Sequence, residues 1–171
     1  MAGHPHEPTE PERARALMTE GATRLVEGVR QGGAAWVVAR VTEIVDAWGG
    51  IASNEGRAAV LAAARRAGEQ AAARVTRELT DLFARDPSEQ RTTPLEVVRS
   101  LRYEATAVLA SAGVPPIERD PFDTRSFPDD VYGIVPRAIT ELGFDDTTRD
   151  ALGTALLAWG TGKARLVPRD P

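Results

Sequence analysis

Apolar side chains recur along this chain at steps of three and four, the interval that lines one face of an α-helix. From Pro11 to Arg30 the stripe is Leu17, Met18, Leu25, Val26 and Val29. Pro11 suits the first turn, and Glu10 and Glu12 sit at the positive end of the helix dipole. Gly21 and Gly28 weaken this helix, and Gln31-Gly32-Gly33 is expected to end it. Between Ala34 and Trp48, β-branched residues raise the option of a strand, but alternation fails at Ile44 and Val45. Trp36, Val37, Val41, Ile44, Val45 and Trp48 instead form a helical stripe that Gly49-Gly50 closes. Ser53 is placed to cap the longest helix, from Asn54 to about Phe83. Its seam of Leu61, Ala64, Gly68, Ala71, Val75, Leu79 and Leu82 is mostly small, which lets another helix approach closely. That neighbour is expected to come from the same chain, with a second copy in a homodimer as the alternative.

Asp86-Pro87 stops the long helix. Thr93 as cap, Pro94 in the first position and Glu96 in the third open the next one. Its stripe is Leu95, Val98, Leu101, Ala105, Val108, Leu109 and Ala112, and Gly113 follows as a stop. The segment Val114 to Asp130 then holds four of the 12 prolines and more acids than arginines. Phe122, Phe127 and Tyr132 fall within eleven residues. Disordered segments are poor in aromatic residues, so this Pro-rich loop is expected to be ordered and pinned by Phe122 and Phe127. A further helix is expected from Pro128 to Leu142, interrupted at Pro136. A last one should run from Asp145 to about Trp159 with Leu152, Ala155, Leu156 and Trp159 inward, its end loosened by Gly160 and Gly162.

The pattern therefore predicts an all-α fold, an irregular bundle of about six helices with a long Ala-rich helix at its centre. Residues 11–167 form one domain. Residues 1–10 are a disordered, acidic, Pro-rich tail, and residues 168–171 a frayed end.

Composition narrows the chemistry. The chain has 171 residues, no cysteine, and only two histidines, His4 and His6, both in the tail. Cysteine-ligated metals, thiol catalysis and Ser-His-Asp triads built within the domain are excluded. A Glu-x-x-His di-iron bundle is excluded as well. No cofactor is expected. Asp145, Asp146 and Asp150 could hold magnesium through oxygen ligands, but their first-turn position is better explained by helix capping. Gly160-Thr161-Gly162-Lys163 resembles part of a phosphate loop. However, Leu157 and Ala164 stand where that motif needs a glycine and a hydroxyl. The plainer reading is a glycine stop with a cation at the negative helix end.

Net charge is −4, which gives no general attraction to nucleic acid or anionic membrane. Lys163 is the only lysine against 20 arginines, a usage typical of a high-GC bacterium. Arg66, Arg74, Arg77 and Arg85 share a face of the long helix. Residues 113–150 carry nine acids against four arginines, so the expectation is that acidic chain pairs with this face. Trp36, Trp48 and Trp159 read as core anchors. No apolar leader or membrane-length segment occurs, so the chain reads as cytoplasmic, with no membrane association. These features point to a non-enzymatic helical module that binds another protein through Phe122, Phe127, Tyr132, Arg66, Arg74 and Arg77. The alternatives are a magnesium-dependent enzyme on phosphorylated small molecules and, disfavoured by charge, a nucleic-acid binder using the arginine face.

Overall fold

A computed structural model describes residues 5–115 and 146–168. Every regular element among the described residues is helical. They are α1 (Glu10–Trp48), α2 (Asn54–Ala84), a 3₁₀ turn (Pro87–Glu89), α3 (Pro94–Ser111) and α4 (Asp146–Leu166). The described residues thus hold four α-helices where about six were expected for the chain. The predicted helix at 128–142, and with it the loop pinned by Phe122 and Phe127, lies outside the described residues.

Part of the difference is a correction. The segments predicted as 11–30 and 34–48 are one helix of 39 residues, about 58 Å long. Gln31-Gly32-Gly33 does not stop it because tertiary packing outweighs the local cost of glycine. Gly33 is buried, and a Cβ built there would lie 3.1 Å from the Cβ of Ala72. The stop comes at Gly49, whose φ of 64° is left-handed and whose N–H bonds the Val45 carbonyl at 3.1 Å. The start is fixed one residue before Pro11 by a capping box. Thr9 accepts from the Glu12 N–H, and the Glu12 carboxylate accepts from the Thr9 N–H at 2.6 Å. These bonds to Thr9 hold the Glu12 carboxyl below its usual value.

The five residues between α1 and α2 force an antiparallel pair. Arg57 clamps Asp46 across this turn with bonds of 2.9 and 3.1 Å. Ser53 caps α2 as expected, accepting from the Gly56 N–H at 3.0 Å. Thr93 caps α3 by accepting from the Glu96 N–H at 3.3 Å, and Gly113 beyond it takes φ 75°.

α1 packs against α2, α3 and α4 and is the axis of the fold. The long Ala-rich helix α2 packs against both α1 and α3. Its small seam is spent inside the chain: Ala64, Ala71, Val75 and Leu79 are wholly buried. A Cβ on Gly68 would lie 2.8 Å from the Ala34 carbonyl oxygen, so only glycine fits. The contact with α4 is closer still. A Cβ on Gly21 would meet the Ala155 oxygen at 2.5 Å, and one on Gly162 would meet the Ala14 oxygen at 2.4 Å. Gly21 and Gly28 therefore do not merely weaken α1. Gly21 removes the side chain that would hold α4 away, and a Cβ on Gly28 would sit 2.9 Å from Leu152. For the same reason α4 runs through Gly160 and Gly162 to Leu166 instead of ending near Trp159.

The core is continuous from Leu25, Val29, Val37 and Val41 of α1 through Val75 and Leu79 of α2. Leu101 and Ala105 of α3 and Leu152 and Leu156 of α4 complete it. Each of the larger side chains contributes roughly 1.5–3 kcal/mol on burial. Among the described residues, no helix is long and apolar enough to cross a membrane.

Candidate functional site

The predicted arginine face is only partly free. Arg74 reaches across to α3 and donates to the Glu104 carboxylate at 2.5 Å, and it lies 3.6 Å from Glu78 on its own helix. Its acidic counterpart is therefore α3. The acidic segment expected to cover this face lies almost wholly outside the described residues. Arg66, Arg77 and Arg85 are exposed. A stripe with one member tied across the helix pair does not form a single cationic groove.

A second site forms where α1 ends beside the C-terminus of α3. Ile44, Ala47 and Trp48 from α1 meet Val114 and Pro115 just beyond α3, around a surface groove of about 380 Å³. Arg40 and Glu43, paired at 3.4 Å, stand at the same groove. Trp48 was expected in the core. It is instead 42% exposed, with its indole laid over Gly50. The left-handed turn at Gly49 carries the chain away immediately after the tryptophan, so no following turn of α1 covers it. Trp36 and Trp159 are core anchors as expected, 6% and 1% exposed. Tyr103 on α3 is another exposed large side chain, at 68%.

A third cluster sits at the opposite end of α1. Lys163 of α4, 2% exposed, donates to the Gln90 backbone carbonyl at 3.1 Å and to its side-chain oxygen at 3.4 Å. The Gln90 amide donates in turn to the Arg85 carbonyl at 3.2 Å. The ammonium also lies 5.1 Å from the centre of the Trp159 ring, and the Phe83 ring centre lies 6.2 Å from that of Trp159. Burial holds the Lys163 amine below the usual lysine range. The sequence reading placed this lysine at a loosened helix end, a position that implies solvent. Its burial follows from Gly162, which draws α4 against α1. No local motif signals Gln90, a polar residue in the connection between the 3₁₀ turn and α3 whose role depends on the packing of α4.

Of the residues named from sequence, Phe122, Phe127 and Tyr132 lie outside the described residues, as does Asp145. α4 begins at Asp146, the position expected of a first-turn acid. Among the described residues no three histidine, cysteine, aspartate or glutamate side chains come together as a metal set. No protein-family model, curated protein or solved structure matches the chain.

Proposed function

We propose that this chain is a non-enzymatic helical module that binds another protein. The observation that carries this reading is the groove beside Trp48. A half-exposed tryptophan on an apolar floor with charged residues at the edge has the make-up of an interface anchor surrounded by a polar rim. Val114 and Pro115 belong to the Pro-rich segment singled out from sequence, so the groove is continuous in sequence with Phe122, Phe127 and Tyr132. The partner segment this surface suits is a peptide that inserts an apolar side chain between Ile44 and Trp48 and meets Arg40 and Glu43 at its flanks. Arg66 and Arg77 remain available as secondary contacts, whereas Arg74 is engaged by Glu104.

Site-specific photo-cross-linking tests this. A photoreactive residue at Ala47, exposed beside the groove, should give one discrete adduct in the native host. The same residue at Arg24, on an exposed part of α1 away from the groove, should give none. Equal adducts from both positions, or none from Ala47, would overturn the reading.

A further inference from the structure

An open surface pocket of about 330 Å³ lies between the N-terminal half of α1, the end of α2 and Trp159 of α4. Arg15 and Arg85 flank it, Thr19 and Thr23 add hydroxyl groups, and Met18 and Phe83 supply apolar wall. The described residues that line it include no carboxylate. Arg15 does sit in the field of Glu12 and Asp86, but both carboxylates are engaged locally, Glu12 by Thr9 and Asp86 by Ser88. Trp159 is 1% exposed, and its indole N–H has no hydrogen-bond partner among the described residues. A buried donor without an acceptor costs roughly 1–3 kcal/mol, so a protein retains one where something else supplies the acceptor. The ring is packed by Lys163, whose Nζ lies 5.1 Å from its centre, and by Phe83, whose ring centre is 6.2 Å away.

We propose that this pocket binds a small organic anion, a carboxylate or phosphate carried on an apolar body. Its oxygens accept from the Arg15 and Arg85 guanidiniums and from the Trp159 indole N–H. Its apolar part lies against Met18 and Phe83. The volume falls in the range of small-molecule pockets, and the mixture of apolar wall with a few convergent donors is their usual composition. Guanidinium pairs favour carboxylate and phosphate over neutral acceptors. The buried Lys163 ammonium, which bonds Gln90 and lies 5.1 Å from the Trp159 ring centre, adds positive potential next to two of the lining residues. The proposal is independent of the groove at Trp48, which lies at the other end of α1.

The test is titration of the full chain with octanoate, octyl phosphate and octanol, read on the Trp159 indole N–H resonance. That resonance should move saturably with at least one of the two anions, and the tighter of them identifies the head group. Octanol should bind at least about tenfold more weakly. The double variant Arg15→Gln/Arg85→Gln changes two exposed side chains, so it should fold normally and lose at least about tenfold in anion affinity. An indole resonance unmoved by both anions would overturn the proposal. So would octanol binding as tightly as the anions, or anion binding unchanged in the double variant.

Discussion

At the scale of single residues, glycine does more here by what it lacks than by how it bends. Gly21 and Gly162 sit where the backbones of α1 and α4 touch, and neither tolerates a Cβ without moving the other helix. Gly162→Val should therefore lower stability by roughly 2 kcal/mol or more, within or beyond the usual cost of overpacking. Urea denaturation measures this, and a wild-type midpoint would mean that the helices are not in backbone contact. The sequence shows these glycines but not their meaning. A glycine inside a helical stripe reads as weakness unless the facing helix is known. Lys163 was obscured for the same reason. Its place at the edge of a Gly-Thr-Gly run suggests solvent, and only the close approach permitted by Gly162 puts it under the floor of the fold.

At the scale of elements, the apolar stripes were legible almost throughout. Leu95, Val98, Leu101, Ala105, Val108 and Leu109 of α3 are all buried, as are Leu152, Ala155, Leu156 and Trp159 of α4. The caps at Ser53 and Thr93 and the stop at Gly49 were also readable, because each depends on residues within one turn. What failed was the continuity of α1. Two glycines in a row are a local signal, and the contact between Gly33 and Ala72 that overrides it is not local. The absence of cysteine makes this checkable. Spin labels on cysteines introduced at the exposed positions Arg24 and Ala39 should report a single narrow separation, about 22 Å between backbones for an unbroken helix. A broad or much shorter distribution would indicate a break at Gly32-Gly33.

At the scale of the whole molecule, α1 links two ends of different character. One end carries the buried Lys163, bonded to Gln90 and covered by Trp159. In the window between its lowered folded pKa and the ordinary lysine value of about 10.4, the unfolded chain binds this proton more readily than the folded one. Stability therefore rises with pH across that window. In Lys163→Met that rise should disappear, and an identical alkaline slope in both proteins would show that the amine is not buried. The other end carries the groove at Trp48, which sequence reasoning assigned to the core. Periodicity places Trp48 on the inward stripe of α1, but the chain turns away one residue later and leaves the ring at the surface. The predicted binding residues Phe122, Phe127 and Tyr132 follow Val114 and Pro115 of this groove in sequence and lie outside the described residues.

Comparison of the wild-type chain with Trp48→Ala in quantitative capture from native lysate, with nuclease added and at moderate salt, tests the interaction reading most directly. The substitution removes a half-exposed side chain, so it should leave stability within about 1 kcal/mol. The wild-type chain should retain one stoichiometric protein that Trp48→Ala loses while remaining folded. A partner held equally by both proteins, or recovery that depends on nucleic acid, would contradict the account.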